Sequence, residues 1–128
     1  MRTMKHKIMV VDDSRMIYAE MQKMLEGSGI EIASYCRSGE EALAAYEKVR
    51  PELVTLDIVM PGMDGLDVCR EMLARWPDAQ VLIVSSLAYD DTIECARTLG
   101  AKGFLYKPFE RGALLESLHK ALHSERSE

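Results

Sequence analysis

The sequence predicts an α/β domain built on a five-stranded parallel sheet, doubly wound, with helices on both faces. Three observations carry this expectation. Short apolar runs alternate with longer helical patterns five times over from Lys7 onward. The runs are β-branched or leucine-rich and too short for helices, as strands buried on both faces read. Connections of helix length between strands are crossovers, which make neighbouring strands parallel and are right-handed almost without exception.

Each element has its own local reason. Lys7 to Val11 forms the first strand. Ser14 to Ser28 follows as a helix with Ile17, Met21, Met24 and Leu25 on one face, ended by Gly27 and Gly29. Glu31 to Cys36 is a second strand, more polar and therefore expected at a sheet edge. Ser38-Gly39-Glu40-Glu41 matches a capping box and opens a second helix, with Ala42, Ala45, Tyr46 and Val49 inward, that stops before Pro51. Leu53 to Asp57 is the third strand, an apolar run that ends on a carboxylate. Ile58 to Gly65, with Pro61 and Gly62, has the chemistry of a loop. A third helix, Leu66 to about Arg75, buries Cys69, Met72, Leu73 and Trp76, and Pro77 marks its end. Gln80 to Ser85 is the fourth strand. The fourth helix, about Asp90 to Leu99, has a thin apolar face of Ile93, Ala96 and Leu99 before Gly100. Gly103 to Tyr106 is the last strand, leading into Lys107-Pro108, and Glu110 to His123 is the last helix. Glu125 to Glu128 is a polar tail. A five-stranded doubly wound sheet is the economical arrangement; in the flavodoxin-like order 2-1-3-4-5 expected for such a (βα)5 fold, strands one and three are neighbours.

Composition sets the limits. At 128 residues, 48% hydrophobic and 29% charged, the chain reads as one soluble domain spanning residues 1–128, with its core at about 7–122. A net charge of −5 lacks the electrostatic footprint of a nucleic-acid binder, so no direct nucleic-acid partner is expected. The basic Met1 to Lys7 stretch resembles the start of a signal peptide, but the apolar run after it stops at Asp12. No apolar stretch approaches the ~20 residues of a membrane helix, which makes the expected location cytoplasmic, with no membrane partner. Cys36, Cys69 and Cys95 are an odd count without CxxC spacing and read as reduced thiols in or near the core. Nine methionines read mostly as core filler. His119 and His123 stand four apart on the last helix, but with no third ligand in sight they read as two histidines on a helix face.

The candidate site lies at the carboxyl ends of the strands. Asp12 and Asp13 follow the first strand and Asp57 ends the third; in this topology they share one crevice, where open α/β folds bind ligands. Three crowded carboxylates repel unless a cation intervenes, and Mg²⁺ (or Mn²⁺) is the natural partner for a few carboxylates plus phosphate oxygens. Ser85 ends the fourth strand with a hydroxyl, and Lys107 follows the fifth with an ammonium suited to phosphate. Asp57, between them, could carry a phosphoryl group as an acyl phosphate. Asp57 and Asp12 could each simply terminate a strand, and Lys107 could be a surface lysine. The coincidence of all these residues at strand ends favours the pocket. No GxxxxGK[ST] or GxGxxG occurs.

Val10-Val11-Asp12-Asp13-Ser14, Leu56-Asp57-Ile58-Val59-Met60-Pro61-Gly62-Met63-Asp64-Gly65, Val84-Ser85 and Lys107-Pro108-Phe109 resemble the receiver domain of two-component response regulators. The resemblance covers about Lys7 to Leu122. It is greatest to stand-alone, chemotaxis-type (CheY-like) receivers, since nothing follows the last helix. It implies that Asp57 accepts phosphate from a sensor histidine kinase or phosphotransfer protein in a phosphorelay. Asp12, Asp13, Asp57 and the Val59 backbone carbonyl would hold Mg²⁺, Ser85 and Lys107 would bind the phosphoryl group, and Lys107-Pro108 would be cis. Ser85 and Phe104 would be the switch pair, remodelling the face of the fourth helix, last strand and last helix for an effector. The chain would be a monomer or a phosphorylation-dependent dimer, and a signalling module rather than a turnover enzyme.

The chain also departs from the family pattern. Phe104 lacks the hydroxyl of the more common tyrosine, and Ser86 replaces the usual alanine. Val59 and Leu87 occupy the two hydrolysis-tuning positions with side chains unable to orient water, so slow loss of phosphate is expected. The residues leave two other readings open. An aspartyl-nucleophile phosphatase would carry a second Asp where Val59 stands, and an interaction module that is never phosphorylated would not need the full acceptor set.

Overall fold

The computed structural model describes residues 5–87 and 89–123. The expected tail, 125–128, and residues 1–4 of the basic lead-in fall outside that range. The elements alternate throughout: β1 (His6–Val11), α1 (Arg15–Met24), β2 (Ile30–Cys36), α2 (Gly39–Val49), β3 (Leu53–Leu56), α3 (Gly65–Arg75), β4 (Val81–Ser85), α4 (Asp90–Leu99), β5 (Gly103–Tyr106) and α5 (Arg111–Leu122). All strand pairs are parallel and the sheet order is β2-β1-β3-β4-β5, as expected. Among the described residues no helix is long and apolar enough to cross a membrane.

The alternation of strand side chains builds two cores, one on each face of the sheet. Met9, Val11, Val54, Leu56, Val81 and Ile83 point to the face covered by α2, α3 and α4, where Ala42, Tyr46, Val68, Cys69, Met72 and Ala96 meet them. Ile8, Val10, Leu53, Leu82 and Val84 point to the other, against Met21 of α1, Leu25 just past its end, and Leu114, Leu118 and Leu122 of α5. β3 is buried along its whole length, Thr55 included, so its nearly apolar sequence suits its central place. β2 is indeed an edge, half-exposed along its middle. Its register against β1 skips Ala33, which is exposed. α4 buries only Ala96 outright, in keeping with its thin apolar face. Cys36 and Cys69 are buried and Cys95 is half-buried, all three as free thiols. The core-filler reading holds for Met9, Met21, Met60 and Met72 and fails for Met16, which is 69% exposed.

Several boundaries differ from expectation for local reasons. α1 ends at Met24, not Ser28: Gly27 and Gly29 both take positive φ, and the residues between form turns in which Ser28 Oγ donates to the Leu25 carbonyl. Asp57 lies one residue beyond β3. The Ser38 capping box is shifted by one residue on its return arm. Ser38 Oγ accepts from the Glu41 N–H, while the Glu41 carboxylate accepts from the Arg37 N–H instead of the Ser38 N–H.

One long-range cap is absent from any sequence pattern. Arg111 opens α5, an unfavourable place for a cation on its own helix. Its guanidinium instead donates to the carbonyls of Met24 and Glu26, at 2.7 and 3.1 Å, satisfying orphan acceptors at the end of α1. Arg111→Ala should therefore lower stability by about 1 kcal/mol, read as a reduced urea midpoint at unchanged slope.

Candidate functional site

β1 and β3 are neighbours, so the residues after them come together. Backbone bonds fix the junction: Asp57 N–H donates to the Val11 carbonyl at 3.0 Å and Asp12 N–H to the Cys36 carbonyl at 3.0 Å. Asp12 and Asp57 are buried while Asp13 is half-buried, and one carboxylate oxygen from each lies within 4.8 Å of the others. Asp12 is further held by the Ser14 N–H, at 2.9 Å, and Ser14 Oγ in turn caps α1 by accepting from the Ile17 N–H.

β5 brings the counter-charge. Lys107 N–H donates to the Ser85 carbonyl at 3.0 Å, and its ammonium reaches across the sheet to Asp12 at 2.7 Å and Asp57 at 3.3 Å. Its side chain is 15% exposed. Three acids and one lysine leave a charge of about −2 in a largely buried pocket, and oxygen donors with that excess suit a hard divalent cation. The carboxyl of Asp57 is pushed above its ordinary value, chiefly by burial. The Lys107 ammonium opposes that rise, the Asp12 carboxylate adds to it, and the Val59 N–H opposes it. Ser85 is fully buried beside β3, its Oγ accepting from the Leu87 N–H at 3.2 Å. The Lys107-Pro108 peptide is cis.

The arrangement of acids, hydroxyl and lysine at four strand ends, in this sheet order, has a family behind it. Residues 8–119 match the response regulator receiver domain family. The chain belongs to that family. The chemotaxis protein CheY of Listeria monocytogenes is 36% identical over 115 residues, covering 90% of this chain and 97% of that one. The DNA-binding response regulator MtrA of Mycolicibacterium smegmatis is 36% identical over 130 residues, covering all of this chain and 55% of MtrA. Among solved structures, the CheX-CheY-BeF3-Mg²⁺ complex from Borrelia burgdorferi superposes with a TM-score of 0.86 at 28% identity, covering 90% of this chain and 87% of that one.

Around the acidic cluster of this receiver the remaining expected residues take distinct places. Val59 is 57% exposed, and its backbone N–H donates to the Asp57 carboxylate. Leu87 is half-buried against the α2–α3–α4 core. Phe104 is also half-buried there; its ring lies 5.0 Å from that of Tyr106 and lines a groove of about 200 Å³ with Ile93, Ala96 and Arg97.

Two features escaped the sequence. Arg37, just past β2, donates to the Asp13 backbone carbonyl at 3.2 Å and so braces the acidic turn from the sheet edge. Its position after a strand end was the available signal. Tyr35 stacks flat on Tyr18 with ring centroids 4.1 Å apart, and its buried hydroxyl, near the Arg37 side chain, makes no well-formed hydrogen bond among the described residues. Tyr35→Phe keeps the stack and removes an unsatisfied group, so stability should hold or rise by up to about 1 kcal/mol in urea unfolding.

Proposed function

We propose that this receiver is a phosphorylatable switch in which Asp57 accepts a phosphoryl group from the phosphohistidine of a sensor histidine kinase or phosphotransfer protein. The observation that carries the reading is the buried Asp57 carboxylate clustered with Asp12 and Asp13 and 3.3 Å from the Lys107 ammonium, which also holds Asp12. In the transfer an Asp57 carboxylate oxygen forms the new P–O bond, the P–N bond breaks, and the imidazole leaves. Asp12, Asp13, Asp57 and the Val59 carbonyl would hold Mg²⁺ (or Mn²⁺), which when bound supplies neutralisation of charge on the transferring phosphoryl. Lys107 exchanges one of its two carboxylate contacts for a phosphoryl oxygen, and Ser85 turns its hydroxyl from the Leu87 N–H to another. Acceptance is stoichiometric, so the chain is not expected to turn over an external substrate.

The switch follows from that exchange. Drawing Ser85 toward the phosphoryl group loosens the start of the β4–α4 connection and frees space for the Phe104 ring. The surface of α4, β5 and α5 then changes, biasing a pre-existing equilibrium. Tyr89 and Tyr106, 65% and 48% exposed, give that face apolar contact area for an effector protein. A CheY solved with beryllofluoride and Mg²⁺ bears the same fold.

Val59 and Leu87 present no polar atom on their side chains to orient an attacking water, so the phosphoryl group should persist. Labelling with a small phosphodonor in Mg²⁺, followed by phosphate release, should give a lifetime of minutes or more. A lifetime of seconds would contradict the slow switch. Val59→Asn should shorten the lifetime several-fold, since a polar side chain at that exposed position can hold the water.

A further inference from the structure

His119 and His123 lack a third ligand in the sequence, and folding brings one. His6, the first residue of β1, sets its ring edge-on to His123 with centroids 6.2 Å apart. His123 stacks on His119, also at 6.2 Å. Glu52, just before β3, accepts from His6 Nδ1 at 2.8 Å. A carboxylate on Nδ1 fixes the proton there and leaves Nε2 with a free lone pair, the tautomer and orientation that metal-binding histidines are given by their neighbours.

We propose that His6, His119 and His123 form a binding site for a borderline divalent transition-metal ion, with Zn²⁺ the best fit and Glu52 the positioning residue for His6. Imidazoles select this class of ion, whereas the acidic cluster selects hard, oxygen-seeking ones. Two histidines four apart on one helix face chelate zinc in other helices, and a third completes a three-histidine set with one position left for water. A Zn–N bond of about 2 Å puts each ring centre about 3.2 Å from the ion, so two rings sharing a tetrahedral ion stand about 5 Å apart. Both observed spacings are 6.2 Å, so each of these two pairs must close by about 1 Å, and His6 and His119, which are not in ring contact, must close by more. His119 and His123 are exposed and His6 is half-buried, which leaves room for that rotation. The site is independent of the phosphoryl chemistry. His6 begins β1 and Asp12 follows its end, which separates the two by roughly 20 Å at ~3.3 Å per residue. A bound ion would clip the start of β1 to the end of α5.

The test is a Zn²⁺ titration of the tag-free chain against a chromogenic chelator, in excess Mg²⁺, with histidine ¹⁵N spectra recorded alongside. One equivalent should bind, and ring nitrogens of all three histidines should shift. His6→Ala, His119→Ala and His123→Ala should each weaken binding at least ~10-fold, and Zn²⁺ should raise the melting temperature of the wild type but not of His6→Ala. Glu52→Gln should change the His6 tautomer balance in the metal-free spectra and weaken binding. Asp13→Asn and Cys95→Ser should bind as the wild type does. Binding unchanged in His6→Ala, or lost in Asp13→Asn or Cys95→Ser, would overturn the site.

Discussion

Asp57→Asn should abolish phosphoryl uptake and, in metal-free buffer at neutral pH, should also raise the melting temperature. The first effect follows from loss of the only carboxylate proposed as nucleophile. The second follows from electrostatics. Burial, with the Asp12 carboxylate adding to it, holds the Asp57 carboxyl above its ordinary value of 3.8, against the pull of Lys107 and the Val59 N–H. A folded-state carboxyl that binds its proton more tightly than the unfolded chain does makes ionisation costly to the fold. That cost is absent below the unfolded value, develops as pH rises toward the folded one, and is complete above it. Asparagine removes the charge and leaves Lys107 its 2.7 Å contact with Asp12. The gain should therefore be largest near neutral pH and fade as pH falls toward 3.8. Saturating Mg²⁺ should narrow it, because the ion stabilises the folded wild type by binding it. Thermal melts of both proteins across pH, with and without Mg²⁺, read all of this. A variant melting below the wild type at neutral pH without metal would contradict the electrostatic argument.

Gly65→Ala should cost about 3 kcal/mol and slow phosphorylation as well. Gly65 opens α3, and its N–H donates to the Ile58 carbonyl at 2.7 Å, folding the β3–α3 loop back against the turn that carries Asp57. A Cβ there would run into the Asp57 carbonyl oxygen, and would come within 2.6 Å of Ile58 Cα and 2.8 Å of the Asp57 carbonyl carbon. Every one of these is backbone, so no rotamer change relieves the clash. The loop must move, and Asp57 moves with it. Gly39→Ala is the control. Its Cβ would meet Val68 Cγ2 and the Met63 side chain, which are side chains and not backbone, so its cost should be smaller even though buried Val68 must shift. Urea unfolding ranks the two, and phosphodonor labelling shows whether the Gly65 variant also loses rate. Equal costs would contradict the backbone argument.

The fold was legible because its signals are local. β3 is buried at every position and only Thr55 breaks its apolar run, whereas β2 can be polar because it lies at an edge. The proposed site was legible for a topological reason: a parallel sheet collects every strand's carboxyl end on one rim, so Asp12, Asp57, Ser85 and Lys107 follow from the strand list. What was not legible depends on contacts between distant residues. Arg111 looks misplaced at the start of α5 until the end of α1 is beside it. The Glu41 return bond chooses Arg37 over Ser38 because of how β2 enters the turn. His6 joins the histidines of α5 only once β1 runs beneath that helix's end.

The most direct test of the switch is a titration of beryllofluoride with Mg²⁺, followed by backbone amide NMR. Stoichiometric binding is expected, with shifts at Val59, Ser85 and Leu87 spreading to Phe104 and Tyr106, and none of it in Asp57→Asn. An unresponsive wild type, or the same shifts in Asp57→Asn, would contradict the assignment of Asp57 as the acceptor.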